Sequence, residues 1–282
     1  MIFGGANSQS LAAALASELD DELALVDYER FPDGELKTNV GDVDPERAIV
    51  VGSTVDSDAH VRCLQLQDAV REAGASEVVT VLPYMGYARQ DEAFAVGDPV
   101  SARAMARAIS TGADRVLTVN PHETAVCEFF EPTATAVDAA AVLAEPLPDD
   151  LADPLFLAPD EGARGLAGTV RDAYGRGAVD HFVKQRFSGD DVEVTPSDAA
   201  VAGRDVVVVD DIVATGTTMS ESIAVLGERS AASVSVATVH PLFARNAVTK
   251  LERAGVERIV GTDTLERPQS VVSVAPAISN HL

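Results

Sequence analysis

The sequence predicts an α/β protein of two related domains, each a mainly parallel sheet flanked by helices. Three observations carry this expectation. Short β-branched runs alternate with Ala-rich segments of helical spacing along all 282 residues, the rhythm of strands joined by helical crossovers. Runs such as Val206-Val207-Val208-Val209 are apolar on both faces, as strands covered by helices on both sides must be. The chain also repeats itself faintly. Ile49-Val50-Val51-Gly52-Ser53 and Val207-Val208-Val209-Asp210-Asp211 each lead into a helix, a further strand and a proline, and the pairs Val51/Val209 and Pro83/Pro241 share one offset of 158 residues.

Taken in order, the pattern gives helix 9–19, strands 23–26 and 48–51, helix 59–73, strand 77–82, helix 102–110 and strand 115–119. The second half follows with strand 154–158, helix 162–173, strands 179–183 and 205–209, helix 219–228, strand 233–239, helix 245–254 and strand 257–260. Ala, Pro and Asp accumulate over 138–151, which sets the expected boundary between domains 1–141 and 142–282. If the halves are related, the first has lost an acidic pair, with Gly52-Ser53 where the second has Asp210-Asp211.

Composition narrows the function classes. No stretch of about 18 uncharged apolar residues exists, so no membrane span is expected. The N-terminal Met1-Ile2-Phe3-Gly4-Gly5 does not read as a secretory signal. Cys63 and Cys127 are too few for a disulfide framework or a zinc cluster, which fits a reducing cytoplasm. Acidic residues number 45 against 21 basic ones, a formal charge of -24. That balance points to adaptation to high salt, where self-repulsion is screened, and argues against nucleic-acid binding. Lysine occurs only at 37, 184 and 250.

The most informative string is Val206-Val207-Val208-Val209-Asp210-Asp211-Ile212-Val213-Ala214-Thr215-Gly216-Thr217-Thr218. An apolar strand ends in two carboxylates, a short Thr/Gly loop follows, and a helix begins. Successive backbone N–H groups at such a turn, with the helix N-terminus, form an anion site. Thr hydroxyls add donors, and Gly216 permits close backbone approach. The acidic pair suits ribose hydroxyls, directly or through Mg²⁺. The string resembles the phosphoribosyl pyrophosphate (PRPP) loop of the type I phosphoribosyltransferases. That loop alone does not separate enzymes that consume PRPP from those that make it.

Four further stretches choose between them. Phe31-Pro32-Asp33-Gly34-Glu35 is a turn signal bearing an aromatic and two acids. Tyr84-Met85-Gly86-Tyr87-Ala88-Arg89-Gln90-Asp91 and Asn120-Pro121-His122-Glu123 each follow a strand, where open α/β sheets place ligands. Lys184-Gln185-Arg186 follows strand 179–183. Together, and in this order over nearly the whole chain, these stretches resemble the ribose-phosphate pyrophosphokinase family, and the charge points to a member from a halophilic archaeon.

The resemblance implies two type I phosphoribosyltransferase-like domains and the transfer of pyrophosphate from ATP to ribose 5-phosphate, with Mg²⁺ as cofactor. It implies that Phe31, Asp33 and Glu35 bind adenine in a neighbouring subunit's site, so that the enzyme is a homodimer or larger. Arg89, Gln90 and Asp91 correspond to the family's ATP motif, and His122 and Asp160 to its metal site. Lys184 and Arg186 correspond to its flexible catalytic loop. Asp210 and Asp211 would hold the ribose hydroxyls, and Ala214, Thr215, Gly216, Thr217 and Thr218 the 5-phosphate. Glu92 departs from the arginine that the family commonly has there, which puts one of the phosphate contacts implied by the resemblance in doubt.

Three other readings fit these stretches less well. A PRPP-consuming phosphoribosyltransferase would leave 31–35 and 89–91 without a purpose, and a glutamine-dependent amidotransferase lacks its N-terminal Cys. A non-catalytic regulatory relative of the synthetase should have lost the site residues that are present here.

Overall fold

The computed structural model describes residues 1–188, 191–196 and 200–282; the side chains of 184–188 and 191–196 fall outside that description. The chain forms two compact units. Unit 1 comprises Met1–Ala139, Asp263–Glu266 and Ser273–Leu282, and unit 2 comprises Ala140–Thr262 and Arg267–Val272.

Unit 1 runs β1 (Ile2–Gly4), α1 (Gln9–Leu19), β2 (Leu23–Ala24), β3 (Asp27–Arg30), β4 (Leu36–Asn39), β5 (Arg47–Val51), α2 (Ser57–Glu72), β6 (Glu77–Leu82), α3 (Ser101–Ser110), β7 (Arg115–Val119) and β8 (Thr133–Val137). Six strands make a parallel sheet in the order β2-β1-β5-β6-β7-β8, while β3 and β4 pair antiparallel as a separate hairpin. Helix α2 starts where Asp56 accepts from Ala59 N at 2.8 Å, satisfying one orphan donor of the first turn. Its inner face puts Leu66 and Val70 beside Phe3, Val50 and Val78 in one cluster, and Cys63 with Leu82, Ala106 and Ile109 in another.

Unit 2 runs β9 (Leu155–Ala158), α4 (Arg164–Tyr174), β10 (Ala178–Ser188), β11 (Asp191–Pro196), β12 (Asp205–Ile212), α5 (Thr217–Glu228), β13 (Ser233–His240), α6 (Ala247–Ala254), β14 (Arg258–Thr262) and β15 (Ser270–Val272). Its sheet has the order β11-β10-β9-β12-β13-β14-β15, parallel except for β11 against β10. Val206, Val207, Val208 and Val209 are all within 1 % of complete burial, the two-sided cover that their composition requires. The last helix, α7 (Ala275–Ser279), returns to unit 1 and packs on α1.

Setting aside β11, both sheets have one strand order: the second strand, the first, then the remaining four in sequence. Strands β5 and β12 are counterparts in it. The sequence offset of 158 residues is therefore matched by topology.

Three differences from the sequence expectation have local causes. The strand expected to end at 183 runs on to Ser188 and pairs with β11 from Phe182↔Pro196 to Ser188↔Asp191, because the β-prone Val192-Glu193-Val194-Thr195 supplies a partner. The helix expected from 245 starts at Ala247, since Phe243 (φ 42°) and Arg245 (φ 58°) hold left-handed backbone. The helix expected from 219 starts at Thr217, directly after Gly216. Among the described residues no helix is long and apolar enough to cross a membrane.

Candidate functional site

In unit 2, β10 and β12 flank β9, so the chain leaves the carboxyl ends of β9 and β12 toward opposite sides. A crevice at such a switch point is where open parallel sheets bind ligands. Two of the sequence-predicted stretches end there. Asp160 follows β9 and is exposed, its Oδ1 accepting from Ala163 N at 3.2 Å. Asp210 and Asp211 close β12 and are partly buried.

The loop after β12 is built so that its N–H groups face outward. The carbonyls of Val213 and Ala214 accept from Phe243 N and Ala244 N, both at 2.9 Å, and that of Thr215 accepts from Lys250 Nζ at 3.2 Å. In a planar trans peptide the next N–H points opposite to the carbonyl. The N–H groups of Ala214, Thr215 and Gly216 therefore point away from the 243–250 segment. Those of Thr217 and Thr218 open α5, whose first N–H groups have no intrahelical partner. No acceptor among the described residues meets these five groups. Gly216 makes the turn possible: its φ is +69°, and a Cβ there would lie 3.2 Å from Ala247 O and 3.3 Å from Ala247 Cα. The Thr215 and Thr217 hydroxyl oxygens stand 3.5 Å apart at the mouth, and Thr218 is exposed beside them. The result is a concave array of donors at a helix N-terminus, which selects an anion.

The carboxylates beside it give the opposite charge. Asp211 N donates to Asp210 Oδ1 and Ile212 N to Asp211 Oδ1, each at 2.9 Å. Burial, and then the neighbouring charges of Asp211 and Asp160, push the Asp210 carboxyl well above the usual range. The cluster thus favours hydroxyl donors or a hard cation. Among the described residues no three His, Cys, Asp or Glu side chains are grouped to hold a metal by themselves. The oxygen donors here suit Mg²⁺, which typically takes one or two carboxylates and completes its shell with water and ligand phosphates.

Unit 1 carries the remaining stretches. Phe31, Asp33 and Glu35 are exposed together at the tip of the β3–β4 hairpin, closed by Phe31 N to Glu35 O at 2.8 Å and Gly34 N to Phe31 O at 2.9 Å. The hairpin is anchored at its base. Tyr28 donates to Gly4 O (2.7 Å), Gln65 Nε2 donates to Leu36 O (2.6 Å), and Arg30 pairs with Asp58. Tyr84, Met85 and Ala88 are buried after β6, which turns Tyr87, Arg89 and Gln90 outward and leaves Asp91 half-buried. Gln90 Oε1 accepts from Ser101 Oγ at 2.6 Å and its carbonyl from Ala102 N at 3.1 Å, so it also fixes the start of α3. Glu92 is exposed. Asn120, after β7, bridges Asp138 Oδ1 and Ala139 N, both at 2.8 Å, and His122 follows it, exposed. Tyr87 (φ 64°) and Asn120 (φ 34°) both hold backbone that L-residues rarely adopt.

The switch point of unit 1 is shut. Gly5, Ala6, Asn7, Gly52 and Ser53, with Arg62, Cys63 and Leu66 of α2, leave a cavity of about 10 Å³, room for about one water. Ser53, the counterpart of Asp211, donates to Thr264 O at 2.5 Å and accepts from Tyr84 N at 3.1 Å. The absence of the acidic pair thus accompanies a closed crevice in unit 1, whereas Asp160, Thr215, Thr217 and Thr218 of unit 2 are exposed.

Lys184 and Arg186 lie on β10, opposite Val194 and Val192 of β11. Their side chains are outside the described ones. One contact escaped the sequence reading: Lys250 Nζ donates to Thr217 Oγ1 at 2.7 Å as well as to Thr215 O. Its signal in the sequence was the scarcity of lysine, which occurs only at 37, 184 and 250.

Residues 1–112 match the family model of the N-terminal domain of ribose phosphate pyrophosphokinase, and residues 134–274 match the phosphoribosyl transferase domain. A ribose-phosphate pyrophosphokinase from Halobacterium salinarum is 63% identical over 100% of both chains. One from Methanosarcina mazei is 47% identical over 100% of this chain and 94% of its own. The crystal structure of phosphoribosylpyrophosphate synthetase from Mycobacterium smegmatis superposes with a TM-score of 0.84 at 26% identity, covering 100% of this chain and 96% of that one. Fold, loop and both halves of the sequence therefore agree that the chain belongs to the ribose-phosphate pyrophosphokinase family.

Proposed function

We propose that the protein transfers the β,γ-pyrophosphoryl group of ATP to the 1-hydroxyl of ribose 5-phosphate, giving 5-phosphoribosyl 1-pyrophosphate and AMP. The observation that carries this is the pairing, at one switch point, of an outward-facing N–H array with two carboxylates. The array suits the 5-phosphate, and Asp210 and Asp211 suit the ribose hydroxyls as acceptors.

With ribose held at two ends, its anomeric oxygen attacks the β-phosphorus of ATP. The bond to the α-phosphate oxygen breaks, its electron pair leaves with AMP, and the hydroxyl proton is lost. Positioning and charge neutralisation dominate in such transfers. Phe31 supplies an aromatic face for adenine, while Asp33 and Glu35 accept from its amino group. Arg89 and Gln90 hold the polyphosphate end of ATP, with Asp91 in the same turn. Lys184 and Arg186 neutralise charge as the bond breaks. His122 and Asp160, which match the family's metal positions, would serve Mg²⁺, and the ion when bound would withdraw charge from the polyphosphate. On this reading domain 1–141 serves ATP and domain 142–282 serves ribose 5-phosphate. The exposed hairpin tip serves the ATP site of a second copy, so the working form is a homodimer or larger, in the cytoplasm.

³¹P NMR of ATP, ribose 5-phosphate and Mg²⁺ with the protein in concentrated KCl should give PRPP and AMP. ADP, or no turnover, would refute the reading. Lys184→Ala should lose roughly 100-fold or more in kcat and keep most ribose 5-phosphate affinity, because its contact belongs to the transition state. Asp211→Ala should instead weaken ribose 5-phosphate binding. Turnover of Lys184→Ala near the wild-type rate would remove that residue from catalysis. Sedimentation showing an active monomer would remove the shared site.

A further inference from the structure

From the geometry of α6 we infer that Lys250 is a positioning residue for the phosphate of the sugar substrate, acting from behind the 214–218 loop through the Thr217 hydroxyl. The inference rests on the reading of that loop as the phosphate site.

Lys250 Nζ stands on the side to which the loop carbonyls point, 3.2 Å from Thr215 O. It also donates to Thr217 Oγ1 at 2.7 Å. An ammonium group only donates. The Thr217 oxygen must therefore accept from it, which turns the hydroxyl proton away from Lys250. Thr217 is the first residue of α5 and is exposed at the mouth of the array, so that proton is left available to Thr215 Oγ1, 3.5 Å away, or to an anion at the mouth. The lysine also ties down the third of three consecutive loop carbonyls, the other two being held by Phe243 N and Ala244 N. Its charge does a second job. Asp160, Asp210 and Asp211 surround the site with negative charge, and a phosphate dianion entering there needs a nearby cation. Helix α6 is held close enough to supply one because Gly216 has no Cβ to push Ala247 away.

The test uses the full chain in molar KCl, with Lys250→Met, Lys250→Arg and Thr217→Val. Calorimetric titration with ribose 5-phosphate should show about tenfold or greater loss of affinity for Lys250→Met. Kinetics should show a raised KM for ribose 5-phosphate, with the KM for ATP within about twofold of wild type. Lys250→Arg should recover most of the affinity, which a mere packing role would not require. Thr217→Val should weaken binding in the same way and make a further Lys250→Met change less costly. Lys250→Met binding within twofold of wild type would overturn the inference while leaving the loop assignment intact. Wild type that fails to bind ribose 5-phosphate would overturn both. Thermal melts of all three variants verify folding, and a poorly folded Lys250→Met hands the decision to Lys250→Arg and Thr217→Val.

Discussion

Asp210 illustrates at the residue scale how a site is kept at the expense of stability. Burial of its carboxyl, and then the like charges of Asp211 and Asp160 beside it, strain the ligand-free fold. Asp210→Asn keeps the shape and removes one charge. It should raise the melting temperature of the ligand-free protein by about 2–4 °C, the shift that roughly 1 kcal/mol produces in a chain of this size, while abolishing productive ribose 5-phosphate binding. A melt no higher than wild type would show that the acidic cluster is not strained. The residues of this loop were legible in the sequence because their chemistry is local: Gly216 is needed for one turn, and Thr and Asp stand next to it. Lys250 was not, because its contact joins residues 33 and 35 positions apart, and nothing short of the packing of α6 brings them together.

Among elements, the turn after β6 is the most constrained. A Cβ on Gly86 would come 1.9 Å from the Thr54 carbonyl oxygen, while Gly86 N donates to Thr54 Oγ1 at 2.9 Å. Thr54 N in turn donates to Tyr84 O at 2.9 Å. Gly86→Ala must push these two segments apart, which should cost about 3 kcal/mol and lower the melting temperature by roughly 10 °C. The KM for ATP should rise with it, since Arg89 and Gln90 follow in the same turn. A calorimetric melt unchanged from wild type would contradict the clash. The buried strands were legible because two-sided cover demands continuous apolar residues. The hairpin of β3 and β4 was seen only as its turn: Asp27–Arg30 and Leu36–Asn39 are polar and mostly exposed, and side chains such as Gln65 and Asp58 of α2 hold them in place. The reach of β10 beyond 183 depended on a partner strand whose pairing no single window displays.

For the whole molecule, charge sets the conditions of stability. A formal charge of -24 repels itself over about 10 Å at 0.1 M salt but only about 3 Å at 1 M. Circular dichroism should show loss of structure in dilute buffer and recovery in molar KCl; equal melting in the two would count against salt adaptation. The two-domain plan was legible from the repeated strand-to-proline spacing, because duplicated topology leaves duplicated distances between strand ends. The path of the chain was not. Residues 263–266 and 273–282 belong to unit 1 and lie on either side of Arg267–Val272, the segment that completes unit 2.

That return sets an order of events during synthesis. Leu282 O accepts from Arg47 Nη2 at 3.0 Å, His281 O is bonded by Arg115, and Ser53 waits for Thr264 O. Most of unit 1 precedes unit 2 along the chain, and its closing segment 273–282 follows it. Residues 140–262 and 267–272 all precede α7, so unit 2 can reach its native state as an insert while α1 still lacks the helix that covers it.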